Sequence, residues 1–94
     1  MAEREVTIGS RVGLHARPAA LFVKAATEQS VPVTIAKLGK KPVNARSMLA
    51  VLALGAKGGE TVVLSAEGDG AQTALDTLAE LLVQDLDAPE SADA

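Results

Sequence analysis

The sequence predicts an α+β domain, an open-faced two-layer sandwich in which helices cover one face of a small antiparallel sheet, and three observations carry that expectation. Short runs with period-two alternation, at Glu5–Ile8 and Val31–Lys37, and the apolar run within Glu60–Ser65 read as strands. Longer segments beginning at Ala16 and Ala71 place apolar residues at helical spacing. Glycine and proline punctuate the boundaries, and 94 residues leave room for one domain with a modest core. The resulting order is β-α-β-β-α-β-α. Pattern alone leaves the strand order open and also permits a ferredoxin-like sheet.

The first strand, Glu5–Ile8, turns Val6 and Ile8 inward, and 9–13 is a loop leading to His15. From Ala16 to Gln29, residues Ala20, Val23 and Ala26-Thr27 recur on one side of a helix, with Leu21 and Phe22 widening the stripe. Lys24 and Glu28 stand four residues apart on the other side. Val31, Val33 and Ile35 share one face of the second strand, with Pro32 near its start. A turn at 38–41 leads to a short edge strand, Pro42-Val43-Asn44, whose proline and neighbouring lysines discourage edge-to-edge pairing. Ser47 can cap a helix running to Leu54, and Gly55 with Gly58-Gly59 ends it. Glu60–Ser65 reads as a central strand, and Asp69 as the cap of a last helix with Ala71, Ala74, Leu75, Leu78, Leu81 and Leu82 inward.

The helix after Ser47 is apolar all round, yet a two-layer domain can cover only one side of it. With Met48, Val51 and Leu54 inward, Leu49 and Leu52 face solvent. The alternative is a fully covered core helix.

Composition excludes several function classes. There is no cysteine and a single histidine, so neither a disulfide nor a protein-only zinc site fits. The N-terminus is charged and no long apolar run follows it, so neither a signal peptide nor a membrane-inserted segment is expected. Residues 1–57 hold all nine Lys and Arg against Glu3, Glu5 and Glu28, a balance of +6, while 58–94 hold nine acids and no base. A basic half suits acidic proteins or phosphate. Nucleic acid is not expected as a partner, because Phe22 is the sole aromatic residue and no stacking platform exists.

His15 stands where loop gives way to helix, with Pro18 suited to the first helical turn. Free N–H groups and the positive helix end favour an anion there and disfavour imidazolium, which leaves a neutral ring able to attack phosphorus. Arg17 adds a fixed positive fork beside it. A lone histidine also fits a plain surface or capping role.

The run Gly13-Leu14-His15-Ala16-Arg17-Pro18-Ala19 resembles, without a mismatch, the active-site signature of HPr, the histidine-containing phosphocarrier family of the phosphoenolpyruvate-dependent sugar phosphotransferase system. The stretch 44–55, Asn-Ala-Arg-Ser-Met-Leu-Ala-Val-Leu-Ala-Leu-Gly, is similar to that family's second signature, and the resemblance runs from Arg4 to Gln84. It implies a four-stranded antiparallel sheet in the order 1-4-2-3 with three helices on one face. The carrier domain would span 1–84, with 85–94 a disordered acidic tail. By the same resemblance, His15 takes a phosphoryl group on Nδ1 from phospho-enzyme I and donates it to an enzyme IIA of a sugar permease. Arg17 would stabilise its charge, and Ala16 and Pro18 would position the helix start. Ala20, Lys24, Arg46, Leu49 and Leu52 would meet partners. Ser47 is a cap that an HPr kinase/phosphorylase modifies in many relatives, although Met48-Leu49-Ala50 here replaces the common Ile-Met-Gly. The implied protein is a cytoplasmic bacterial monomer needing no cofactor or metal, a substrate of partner enzymes rather than an enzyme. A regulatory HPr paralogue serving nitrogen or carbon control, or an anion-binding interaction module that is never phosphorylated, would share much of this sequence.

Overall fold

A computed structural model describes residues 2–9 and 16–84. The elements are β1 (Ala2–Thr7), α1 (Ala16–Glu28), β2 (Val33–Lys37), β3 (Val43–Asn44), α2 (Met48–Leu54), β4 (Thr61–Ala66) and α3 (Ala71–Val83). The sheet order is β1-β4-β2-β3, antiparallel throughout. This is the architecture expected of the chain, and the ferredoxin-like alternative falls away. Residues 85–94 lie outside the described part.

β4 is central because it is the strand with apolar residues to spare. Leu64 sits between Arg4 of β1 and Ile35 of β2, with Val62 and Ala66 two residues to either side. Val62, Leu64, Ala66, Val33 and Ile35 are all buried on the helical side. Glu3, Glu5 and Ser65 occupy the opposite, open face, as the period of two requires. Beneath the helices the core closes around Phe22, Val51, Leu75, Leu78 and Leu82.

β1 begins at Ala2, three residues before the alternation at Glu5 suggests. Its register on β4 runs from Ala2↔Ala66 to Thr7↔Thr61, so the ladder extends it through a charged stretch. An edge position tolerates those charges. Arg4, on the helical side, leans over the rim and donates from Nη1 to Asp76 Oδ1 of α3 at 2.6 Å. Gln72 Nε2 donates to the same oxygen, and these two donors hold the Asp76 carboxyl below its ordinary range, the Gln72 bond contributing most. β2 starts at Val33 instead of Val31, because Pro32 has no N–H to give to a ladder; Val31 still packs against the core.

Two helix assignments also need correction. The buried stripe of α1 is Ala19, Phe22 and Ala26, with Val23 partly covered, while Ala20 and Leu21 are exposed. The stripe is centred on Phe22, the largest side chain available, and that choice turns the helix by about one position. At α3 the N-cap is Gly70, at φ 90°, and not Asp69. Gly70 supplies the left-handed turn that brings its carbonyl to the Ala74 N–H at 2.9 Å, leaving Asp69 outside the helix.

Candidate functional site

His15 itself lies outside the described residues, so the site is built from what flanks it in the chain. On the upstream side, Gly9 donates its N–H to the Leu82 carbonyl near the end of α3 at 2.8 Å. A Cβ at Gly9 would collide with the Val83 carbonyl, so only glycine permits that approach. One residue earlier, the Ile8 N–H donates to the Glu60 carbonyl at 2.9 Å and the Ile8 carbonyl accepts from Gly59 at 3.0 Å. The chain is therefore held from two sides where it enters 10–15. Glu60 is itself anchored. The Lys57 N–H donates to its Oε1 at 2.6 Å and Lys37 Nζ stands at 3.6 Å, which together hold its carboxyl below the usual range, the Lys57 bond first.

On the downstream side α1 begins at Ala16, the residue after His15 in the chain. Pro18 is buried in the first turn, where its ring costs no hydrogen bond, and Arg17 beside it is exposed. Arg17, Ala20, Leu21 and Lys24 follow at helical spacing and all face outward. This row contains the predicted Ala20 and Lys24. Leu21, at 38% exposure, was assigned to the core stripe by the sequence and stands in this row instead.

α2 packs against α1 and supplies the second half of the surface. Ser47 caps it with extended backbone, its Oγ accepting from the Ala50 N–H at 3.2 Å. Gly55, at φ 68°, closes the other end by donating to the Leu52 carbonyl. Val51 is buried, and Met48 and Leu54 pack against the core. Leu49 is 80% exposed and Leu52 38%, so the face anticipated from the all-apolar composition is the face presented to solvent.

Arg46 is exposed, as expected of a surface residue, and one edge of its guanidinium is also engaged. Its Nη2 donates to the Gln29 carbonyl at 2.9 Å and its Nε, at a longer 3.4 Å, to that of Ala26. Only Asn44, whose side chain accepts from the Arg46 N–H at 2.9 Å, hints at this in the sequence, as a residue that fixes the turn before Ser47.

Chemically, the described surface combines a guanidinium at a helix start, one further lysine on the same face and two bare leucines on the adjoining helix. Such a surface attracts acidic groups and then excludes water through the apolar contact. Among the described residues, no helix is long and apolar enough to cross a membrane.

Comparison with known proteins adds an independent line. The family model for the PTS HPr component phosphorylation site matches residues 2–84. The phosphocarrier protein HPr of Streptomyces coelicolor is 59% identical over 87 residues, covering 93% of this chain and 94% of that protein. Among solved structures, an HPr from Thermoanaerobacter tengcongensis superposes with a TM-score of 0.85 at 39% identity, over 98% of this chain and 100% of that one. A structure described as an HPr dimer from the same organism matches at 43% identity and a TM-score of 0.65, covering 86% and 92%. The matches span the sheet and all three helices alike, and on that breadth the chain belongs to the HPr component family of the phosphotransferase system.

Proposed function

We propose that this protein is a phosphocarrier, accepting a phosphoryl group on Nδ1 of His15 from phospho-enzyme I and donating it to an enzyme IIA of a sugar permease. The observation that carries the reading is the Gly13–Ala19 signature leading directly into α1, with Arg17 exposed in its first turn and bare leucines on the packed neighbour α2. In the forward step the His15–phosphorus bond forms as the donor's phosphoryl bond breaks, and the reverse exchange on the acceptor regenerates the free imidazole. Arg17 offsets the charge of the transferring group, and Ala16 and Pro18 set the helix start that orients it. No metal or cofactor takes part, and the chain is the substrate of its partner enzymes and not a catalyst that turns over alone.

Docking is assigned to Arg17, Ala20, Lys24, Leu49 and Leu52, a basic and apolar surface suited to acidic partners. The reading places the work in the cytoplasm. Identity of 59% to a phosphocarrier HPr over nearly the whole chain favours the carrier over a regulatory paralogue.

Incubation with phosphoenolpyruvate and enzyme I tests it directly. The expected product is an acid-labile, base-stable phosphoprotein that is absent from His15→Ala and that discharges onto an enzyme IIA. A label that survives in His15→Ala, or no label at all, would sink the carrier and leave an anion-binding interaction module.

A further inference from the structure

The geometry points to Arg46 as a positioning residue, one that fixes α1 and α2 relative to each other so that their exposed residues form a single docking surface, without itself touching the partner. The inference rests on the carrier reading above.

The backbone from which Arg46 reaches out is held at every step. The Ala45 N–H donates to the Val33 carbonyl at 3.0 Å, the Arg46 N–H to Asn44 Oδ1 at 2.9 Å and the Ser47 N–H to the Asn44 carbonyl at 3.1 Å. Ala45 is fully buried. From this base the guanidinium spans to the last turn of α1, meeting the carbonyls of Ala26 and Gln29. That turn has need of it. α1 carries no basic residue in its last turn, and its end is otherwise secured by short-range bonds, Thr27 Oγ1 to Val23, Gln29 Nε2 to Ala25 and the Gln29 N–H to Ala26. A cation on those carbonyls also complements the negative end of the helix. The planar fork suits two carbonyls at once, which an ammonium does not.

The next residue, Ser47, caps α2. One side chain therefore joins the far end of the helix bearing Arg17, Ala20 and Lys24 to the first turn of the helix bearing Leu49 and Leu52. Both bonds use one edge of the guanidinium, Nε and Nη2, and that edge is held on the end of α1.

The test measures Arg46→Ala and Arg46→Lys as phosphoryl acceptors from phospho-enzyme I across a range of ionic strength, with amide exchange at Ala26 to Gln29 recorded in parallel. For Arg46→Ala we expect faster exchange at those amides and a KM raised about threefold to tenfold, the scale of one or two lost hydrogen bonds. We expect kcat unchanged and the salt dependence of KM as steep as in the parent protein, since no partner charge pair is lost. Arg46→Lys should recover KM only as far as it recovers amide protection. An unchanged KM alongside lost protection would overturn the proposal in favour of a purely local cap. A flatter salt dependence, or full recovery of KM by lysine without recovered protection, would overturn it in favour of direct contact. A parent protein that accepts no phosphoryl group overturns the carrier reading and this assignment together, whereas the other outcomes overturn this assignment alone.

Discussion

Leu49 and Val51 are two residues apart and carry opposite duties. Val51 is fully buried, while Leu49 is 80% exposed on the other side of the same short helix. Truncating Val51 to alanine removes packed methyl groups and leaves a gap, so it should cost on the order of 2 kcal/mol in chemical denaturation. Leu49→Glu should leave stability within about 0.5 kcal/mol, since nothing packs on that side chain in the isolated protein. Its effect should appear instead in phosphoryl transfer, slowed in both directions by a desolvated charge in the contact. A melt that collapses for Leu49→Ala would show that this side chain supports the fold and does not face a partner. The contrast between the two was legible from the sequence, because a helix that is apolar all round must leave one side bare in a two-layer domain. Arg46 was not legible in the same way. A guanidinium is long enough to reach the end of a neighbouring helix while staying exposed, and only the placement of α1 shows that it does.

At the scale of the element, α2 is the part of the chain whose ends are most clearly written. Serine before it and glycine after it match the cap geometry found, with Ser47 Oγ on the Ala50 N–H and Gly55 in the left-handed region. Replacing Ser47 by alanine should cost about 1 kcal/mol, the ordinary worth of such a cap. An aspartate keeps an acceptor in place and adds a charge favoured by the free N–H groups of the first turn, so Ser47→Asp should be neutral or stabilising by up to ~1 kcal/mol. That same charge would stand beside Leu49 and Leu52 and face an acidic partner. Transfer from phospho-enzyme I should slow, and the loss should shrink as salt rises. Measuring the rate at low and high ionic strength decides the matter. A rate equal to that of the parent protein at both would mean that Ser47 is a cap alone and no partner comes near it. α1 and α3 were less clearly written. Alanine-rich helices offer several nearly equivalent apolar stripes, and at α3 an aspartate and a glycine competed for one cap position.

Across the whole molecule, the decisive pattern is how the sheet edges are guarded. β3 is two residues long and follows Pro42, while β1 carries Glu3, Arg4 and Glu5 with Arg4 tied to Asp76. Short or charged edges resist pairing with a second copy. Sedimentation should therefore find one species with the mass of a single chain, from micromolar to high micromolar concentration. A concentration-dependent dimer, like the form described for the Thermoanaerobacter tengcongensis relative, would show that this guarding is too weak. The acidic second half of the chain, −9 against +6 in the first, adds attraction between halves as well as repulsion within them, so the edges and not the net charge carry this expectation.

By itself the sequence determined the fold class, the element order, and the second helix with its caps and its outward leucines. These follow from local rules, since periodicity and capping residues need no knowledge of distant contacts. The tertiary structure decided what depends on partners far along the chain. It extended β1 back to Ala2 by giving it β4 to pair with, and it turned α1 so that Phe22 fills the core and Leu21 does not. It required glycine at position 9 by seating the backbone against the end of α3. It took Arg46 to carbonyls at the end of α1 and just past it, twenty and seventeen residues back along the chain. A hydrogen-bond partner at that separation has no signature in local spacing, because the segments are joined only when the sheet brings the end of α1 beside the turn before α2.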